Sequence, residues 1–564
     1  MNLEALRIQA QKEAREFLEN DREYRMGYVD AEKPHPLTRR LSQTYAKSTQ
    51  AGVRMLLSVD REMSLRAEKT LAGKEFAAFA DRVRRVIAEG GRVIWSGCGS
   101  SGRLSMRLEQ SWRNAIAKLS AQYPQAADAL RSKLESVGNI MTGGDYAIIR
   151  AAESFEDSTL LGCHQTKLWE LGEKDLLIGV TATGETTSIL GTAGQALSDG
   201  AAVYMLICSD PEPLLEKMGR TRNVYSHPNC FVMYLPCGPM GLTGSTRMQS
   251  SSFEQFAGAV ALEGALYDIL QSCGIDVQFP GYAWYGNSFA GMTAQLMSDQ
   301  AVQMIAEASD IEQSVYEAGG LMTLYADEYL MDVLTDTTER APTFSTPPFC
   351  NSDMKEQPLS WAFVKNPACE TEEAWNRCFL RQPRCIEWGN EVYASLGFRE
   401  RDIQKIPDVS RSALQKFIIG KEPMPEREQG VSCALWVDAK AAPLCFREQA
   451  VRYASSGEFT LEKAGIQLPE TNMDLLEHLC LKMMLNVLST GVMARMGRIT
   501  GNWMTNLAMS NKKLIDRSAR IVSDLCQVPY EEALEELFYA KASAEARGVL
   551  SSPVGEVIRK LGVK

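Results

Sequence analysis

Four things are scarce in this sequence, and each scarcity excludes something. Apolar runs are short: nothing approaches the ~20 consecutive apolar residues a membrane helix needs. The N-terminal stretch MNLEALRIQAQKEAREFLENDREYR is charged throughout, so neither a membrane partner nor an export signal is expected, and a cytoplasmic protein is. Histidines number only four, His35, His164, His227 and His478, none within five residues of another, which argues against a His-rich metal site. Positive charge is short as well: 60 Lys and Arg against 71 Asp and Glu leave a net charge of −11, whereas a nucleic-acid binder carries a basic surplus. A small anion pocket stays compatible with that total, because one phosphate needs only local donors. Cysteine pairs are missing too. The 14 cysteines are scattered, without a CxxC or a metal-like Cys/His spacing, and read as reduced core thiols. No metal and no cofactor are expected.

What is present is ordinary globular composition, 45% apolar and 23% charged. At roughly 150 residues per domain, 564 residues imply two large domains plus extras. A helical arm interrupted at EKPHPLTRR occupies residues 1–50, and a helical run covers 48–89. Strands are then expected at 92–96, 175–180, 201–207 and 231–235, alternating with helices at 104–119, 189–197 and 251–270. A second unit begins after Gly274, with strands at 321–325, 361–365 and 432–437. From Asn472 onward the chain reads as helical. Strands alternating with helices specify an α/β fold with parallel sheets.

Three polar loops follow strands and lead into helices, at the strand ends where open α/β sheets bind ligands. The first is Gly97-Cys98-Gly99-Ser100-Ser101-Gly102-Arg103. Its glycines permit a tight turn and close approach of an anion, its hydroxyls add donors, and the next helix offers free N–H groups. It lacks the GK[ST] ending of a P-loop, and the serines suit a monophosphate better than a dinucleotide. The second is Thr181-Ala182-Thr183-Gly184-Glu185-Thr186-Thr187-Ser188; the third is Gly238-Pro239-Met240-Gly241-Leu242-Thr243-Gly244-Ser245-Thr246-Arg247. Their small polar residues suit an anionic or hydroxyl-rich ligand.

Five stretches carry a family resemblance: GCGSSGR at 97–103, TGGDYAIIRAAESFEDS at 142–158, GVTATGETT at 179–187, GPMGLTGSTRM at 238–248, and LNVLSTGVMARMGRITGNWM followed by SNKKL at 485–514. In order and spacing the chain resembles SIS-domain (sugar isomerase) proteins of the N-acetylmuramic acid 6-phosphate etherase and glucokinase regulatory protein family. The likeness is weak across 350–470. It implies two flavodoxin-like SIS domains in tandem: an N-terminal helical arm over 1–50, a first SIS domain with the phosphosugar cradle over 51–272, a degenerate second over 273–470, and a C-terminal helical lid over 471–564. The implied ligand is a phosphorylated sugar or amino sugar, bound through Gly99, Ser100, Ser101, Gly102, Thr181, Thr183, Gly184, Thr186 and Ser245. Lys513 matches a lid lysine of the group.

An etherase of this kind takes a proton from C2 of an open-chain 6-phosphosugar with one carboxylate, while a second acid helps lactate leave. Glu156 matches one glutamate of the family. The other is absent from its usual place in SMRLEQSW, where Ser111 stands; Glu109 is two residues away, about 200° around the helix. TDTTERAPTF at 335–344 is similar to the missing segment and puts Glu339 on that glutamate. Glu156 and Glu339 are therefore expected to complete one site across an internal pseudo-dimer, in a chain that is a monomer or a homodimer. In the second half YADEYL replaces the glycine-serine cradle, and Asp327 and Glu328 would repel a phosphate. Gln249, Gln255 and Glu185 stand where the family has cations, so the chemistry of the site departs from the family pattern. Three functions stay open: an etherase-like lyase, a non-catalytic phosphosugar sensor that regulates a sugar kinase, and an aldose–ketose isomerase. The last is disfavoured because no histidine lies near the cradle loops.

Overall fold

The computed structural model of the chain describes residues 3–150, 153–354, 356–507, 509, 511–547 and 552–563. Ala151, Ala152 and Ser510 of the family-like stretches lie outside the described residues. The chain is α/β. The first sheet contains β1 (Val93–Gly97), β2 (Val137–Met141), β3 (Leu176–Val180), β4 (Ala202–Ile207) and β5 (Cys230–Tyr234), in the order β2-β1-β3-β4-β5. The second contains β6 (Leu321–Tyr325), β7 (Ala362–Lys365), β8 (Ser432–Asp438) and β9 (Ser455–Thr460), in the order β7-β6-β8-β9. Every pairing in both is parallel. The first order is flavodoxin-like; the second repeats its first four places. Strands β1 and β3 are buried along their whole length, as parallel strands covered on both faces must be, which is why they read as unbroken apolar runs.

Two strands escape the sequence pattern for physical reasons. β2 carries Gly138 and Asn139, and Asn139 bonds the buried Glu109 carboxylate, so a polar pair sits where an apolar run is expected. β9 is an edge strand, and Ser455 and Ser456 at its start are exposed. The stretch after Asn472 is not helical throughout: β10 (Ile499–Thr500) and β11 (Trp503–Met504) form an antiparallel hairpin. Its two-residue turn places Gly501 at φ +59°, a conformation glycine adopts without strain.

Leu475–Arg495 is buried over nearly all its length and packs on helices of both halves, among them Gln249–Ser272 and Leu330–Phe344. The helix after β1, Gly99–Gln122, touches the helix after β6, Leu330–Phe344; this contact brings the two halves to one site. The N-terminal arm and the last helices, separate in the sequence reading, share one apolar cluster: Ala10, Ala14 and Phe17 pack with Val522, Leu534 and Leu537. The arm's buried Glu32 binds Arg517 and Arg520 of the Lys512–Cys526 helix. Burial opposes the charge on Glu32, but the two guanidiniums outweigh it and hold its carboxyl well below the usual range. Among the described residues no helix is long and apolar enough to cross a membrane, and no disulfide joins the cysteines.

Candidate functional site

The cradle is built by steric necessity. A Cβ on Gly97 would lie 2.4 Å from the Ser101 carbonyl, and one on Gly102 would lie 2.0 Å from Met141 Sδ. These glycines let β1 run directly into its helix with the first-turn N–H groups free. Gly102 therefore meets the protein, behind the ligand face. Ser100 Oγ donates to Glu339 Oε2 at 3.3 Å. Ser101 Oγ lies 3.3 Å from Glu254 Oε2. Glu254 is fully buried and contacts a hydroxyl and the Cys208 thiol. Burial, with the Cys237 thiol adding to it, pushes the Glu254 carboxyl well above its ordinary range.

A cavity of about 480 Å3 opens over this turn. Gly99, Ser100, Ser101, Glu156, Thr183, Thr186, Ser245, Glu339 and Lys513 all line it. Gly102, Thr181 and Gly184 stand behind the wall: the Thr181 and Thr186 hydroxyls bond each other at 2.9 Å, and the Gly184 carbonyl accepts from Tyr225 Oη at 2.9 Å. The second half contributes Glu339 and a wall that includes Pro342, Thr346 and Pro348.

Both carboxylates face cations. Glu339 pairs with the Arg103 guanidinium, whose Nε also donates to the Ile148 carbonyl at 3.1 Å. Glu156 lies 3.6 Å from Lys513 Nζ, which also faces Glu185 at 3.7 Å. Burial works against the Lys513 charge, but Glu156 and Glu185 outweigh it and hold its pKa above the ordinary value. Glu185, beneath the second loop, accepts from Thr183 Oγ1 at 3.1 Å and from Arg220 at 2.6 Å. Burial raises its carboxyl, yet Lys513 and Arg220 bring it below the usual range. Burial pushes the Cys98 thiol up, so it is a poor nucleophile.

Several residues of the site carry no signal in the spacing. Arg103 closes the quoted GCGSSGR motif, yet nothing local shows that it reaches a carboxylate of the other half. Glu254 follows SSSF on a helix whose apolar face dominates its pattern. Arg150, Arg247 and Arg517 also line the cavity. Glu109 turns away as the helical angle requires, buried among Arg113, Arg381 and Arg384. Ser111 accepts from Arg107, which contacts His478 at 2.9 Å. In the second half, Asp327 accepts from Asn366, and Glu328 pairs with Lys118. None of the four histidines lines the cavity.

Residues 76–196, which include β1, its glycine turn and the second loop, match the family model of the glucokinase regulatory protein N-terminal SIS domain. The chain is an SIS-domain protein. It is similar to the N-acetylmuramic acid 6-phosphate etherases and, over residues 76–196, to the glucokinase regulatory protein. The SIS chain is 28% identical over 232 residues to the N-acetylmuramic acid 6-phosphate etherase of Photorhabdus laumondii, covering 40% of this chain and 67% of that one. The etherase of Photobacterium profundum is 30% identical over 207 residues, 37% of this chain and 60% of its own. The Aeromonas hydrophila etherase is 26% identical over 271 residues, 47% and 76%. The SIS chain thus spans between 60% and 76% of the length of these relatives. Among solved structures it is similar to tagatose-6-phosphate ketose/aldose isomerase from Escherichia coli, with a TM-score of 0.40 at 10% identity, covering 83% of this chain and 96% of that one. At that score the likeness carries nothing further.

Proposed function

We propose that this SIS protein binds a phosphorylated amino sugar in the cavity and acts on it as an etherase-like carbon–oxygen lyase. One observation carries the reading: Glu156 from the first half and Glu339 from the second line the same cavity as the Ser100–Ser101 turn. The phosphate sits on the free N–H groups at the start of Gly99–Gln122 and on the serine hydroxyls. Glu339, paired with the Arg103 guanidinium, is the base at C2. As the C2 proton moves to Glu339, its electron pair forms the C2–C3 double bond and the C3–O bond breaks. The departing alkoxide takes a proton from the Glu156–Lys513 side, where an ammonium can resupply it.

A sensor without chemistry is the second reading, and the second loop favours it. The Thr183 hydroxyl is bonded to Glu185 and Lys513 is shared between two carboxylates, so fewer donors face a ligand than the family pattern provides. Incubation with N-acetylmuramic acid 6-phosphate separates the two. Lactate release that vanishes in Glu339→Gln supports the lyase. Thermal stabilisation by the sugar without lactate supports the sensor. Neither signal would remove both.

A further inference from the structure

A second cavity, of about 340 Å3, lies at the outer edge of the first sheet and shares no lining residue with the cavity over the cradle. Its floor is β2, which pairs with β1 on one side only. Thr142 N–H donates to the Gly97 carbonyl of β1 at 3.0 Å, so the alternation of the strand turns the peptides of Asn139 and Met141 outward. The Gln165 side chain caps the far end of that edge: it donates to the Met141 carbonyl at 2.8 Å and accepts from Gly143 N–H at 3.3 Å. The Arg384–Trp388 segment of the second half supplies the opposite wall. It is tied down where Asp145 N–H donates to the Arg384 carbonyl at 3.0 Å.

The lining is flat and aromatic. Trp169 and Trp388, both half-buried, come from the two halves of the chain. The Arg384 guanidinium lies 4.9 Å from the Trp169 ring centre, and Trp388 packs nearly at right angles to His164 at 4.7 Å. Ile140 and Ile386 add apolar surface. A cavity of this size, mostly apolar with a few fixed polar groups, suits a small molecule.

Two polar features narrow the choice of ligand. The charged side chains of the lining are spent within the protein: Asp145 pairs with Arg381, and Arg384 with Glu109 at 2.9 Å. A ligand here needs no charge. Asn139, only 4% exposed, donates its Nδ2 to the Glu109 carboxylate. Burial opposes the charge on Glu109, but Arg381, Arg384 and Arg113 bring its carboxyl down to about 2. An ionised carboxylate only accepts, which fixes the Asn139 amide and leaves Oδ1 as its free acceptor. That oxygen has no partner among the described residues, and a buried amide oxygen without a donor is costly.

We infer that this cavity binds a flat, uncharged nitrogen heterocycle of the purine kind, packed against the two indoles and donating an N–H to Asn139 Oδ1. A purine carries a donor beside a ring-nitrogen acceptor on one edge, which matches an amide oxygen beside the outward N–H of a strand edge. An added peptide strand fits less well, because Gln165 and Arg384 already occupy the continuation of the edge. The site is independent of the phosphosugar reading above.

Adenosine and purine riboside, which lacks the 6-amino group, are the probes, measured on the full chain by equilibrium dialysis and tryptophan fluorescence. Adenosine should saturate at one per chain below about 1 mM, and purine riboside should bind about tenfold more weakly. Adenosine 5′-monophosphate should bind no tighter than adenosine. Trp388→Ala should weaken adenosine about tenfold or more, and Trp388→Phe should keep part of the affinity. No saturation by adenosine would overturn the site, as would equal affinity for the two nucleosides or an unchanged affinity in Trp388→Ala. Tighter binding of the monophosphate would make it an anion site instead. Competition with N-acetylglucosamine 6-phosphate would move the nucleoside to the cradle cavity and overturn the assignment. The comparison of the two nucleosides uses unaltered protein, so it holds even where a variant fails to fold.

Discussion

The two halves of this chain share a strand order and differ at one turn. After β1 the chain reads GCGSSGR, and a cavity opens over the helix start. After β6 it reads ADEYL, where Asp327 and Glu328 are occupied by Asn366 and Lys118. The second half also stops one strand short. What it retains is the helix that follows β6, and from that helix Glu339 crosses to the first half's cradle. The second half thus lacks the glycine turn and still supplies a wall and a carboxylate to the cavity of the first.

The buried carboxylates divide by partner and not by half: Glu185 of the first half lies below its ordinary range and Glu312 of the second above it. In the first half burial pushes Asp60 and Glu263 up to about 7, and Lys482 offsets it only in part at Asp60. In the second half Asp332 and Asp336 are equally buried, but cations outweigh burial: His478 and Arg107 for the one, Arg340 and Arg247 for the other. Both lie below the usual range.

The sharpest break of the comparison is chemical. Glu339→Gln and Glu156→Gln should each lower lactate release by about a hundredfold or more, while sugar-dependent thermal stabilisation remains; equal loss from changes at Asp327 would show that the second half has a site of its own. Next comes the cap. Glu32→Gln leaves Arg517 and Arg520 buried beside a neutral partner and should cost about 3 to 5 kcal/mol in urea unfolding; a smaller loss would mean that water reaches those arginines.

The pH response comes third. A carboxyl whose folded pKa is raised takes up a proton on folding, so its contribution is full below the unfolded value and is lost as pH rises through the folded one. For Glu263 that window runs from 4.5 to about 7, worth about 3 kcal/mol at roughly 1.4 kcal/mol per unit. Glu263→Gln should flatten the stability profile there, read from denaturant midpoints across pH. Asp336 has the opposite sign. Its stabilisation is present above the ordinary carboxylate range and is lost as pH falls through its lowered pKa, so Asp336→Asn should flatten only the acid limb. The smallest effect is a null one: Asp327→Gly with Glu328→Ser should not add a second phosphosugar, and calorimetry should still count one per chain.

Much of this was legible from residues alone. Apolar runs marked β1, β3 and β4, because a strand covered on both faces has nothing else to show. β2 and β9 were not legible: the Asn139–Glu109 contact and the polar start of an edge strand mimic loops. The cradle was visible in its glycines. Glu156 and Glu339 came from resemblance to a family, since neither has a local signature. Arg103 and Glu254 stayed hidden because their roles depend on neighbours far along the chain: Arg103 meets a residue 236 positions away and Ser101 a carboxyl 153 positions away.

The shared cluster of the arm and the last helices has a kinetic consequence. Phe17 shares a cluster with Leu534 and Leu537 near the other end of the sequence, so this contact closes nearly the whole chain and raises its contact order, which slows folding. Lys513 lies on a helix of that cluster, while Ser100, Glu156 and Glu339 are placed by the sheets and the helices packed on them. The cavity thus draws on two separate sources of stability: the glycine turn and two carboxylates depend on the sheets, and the lysine depends on the contact between two distant segments of the chain.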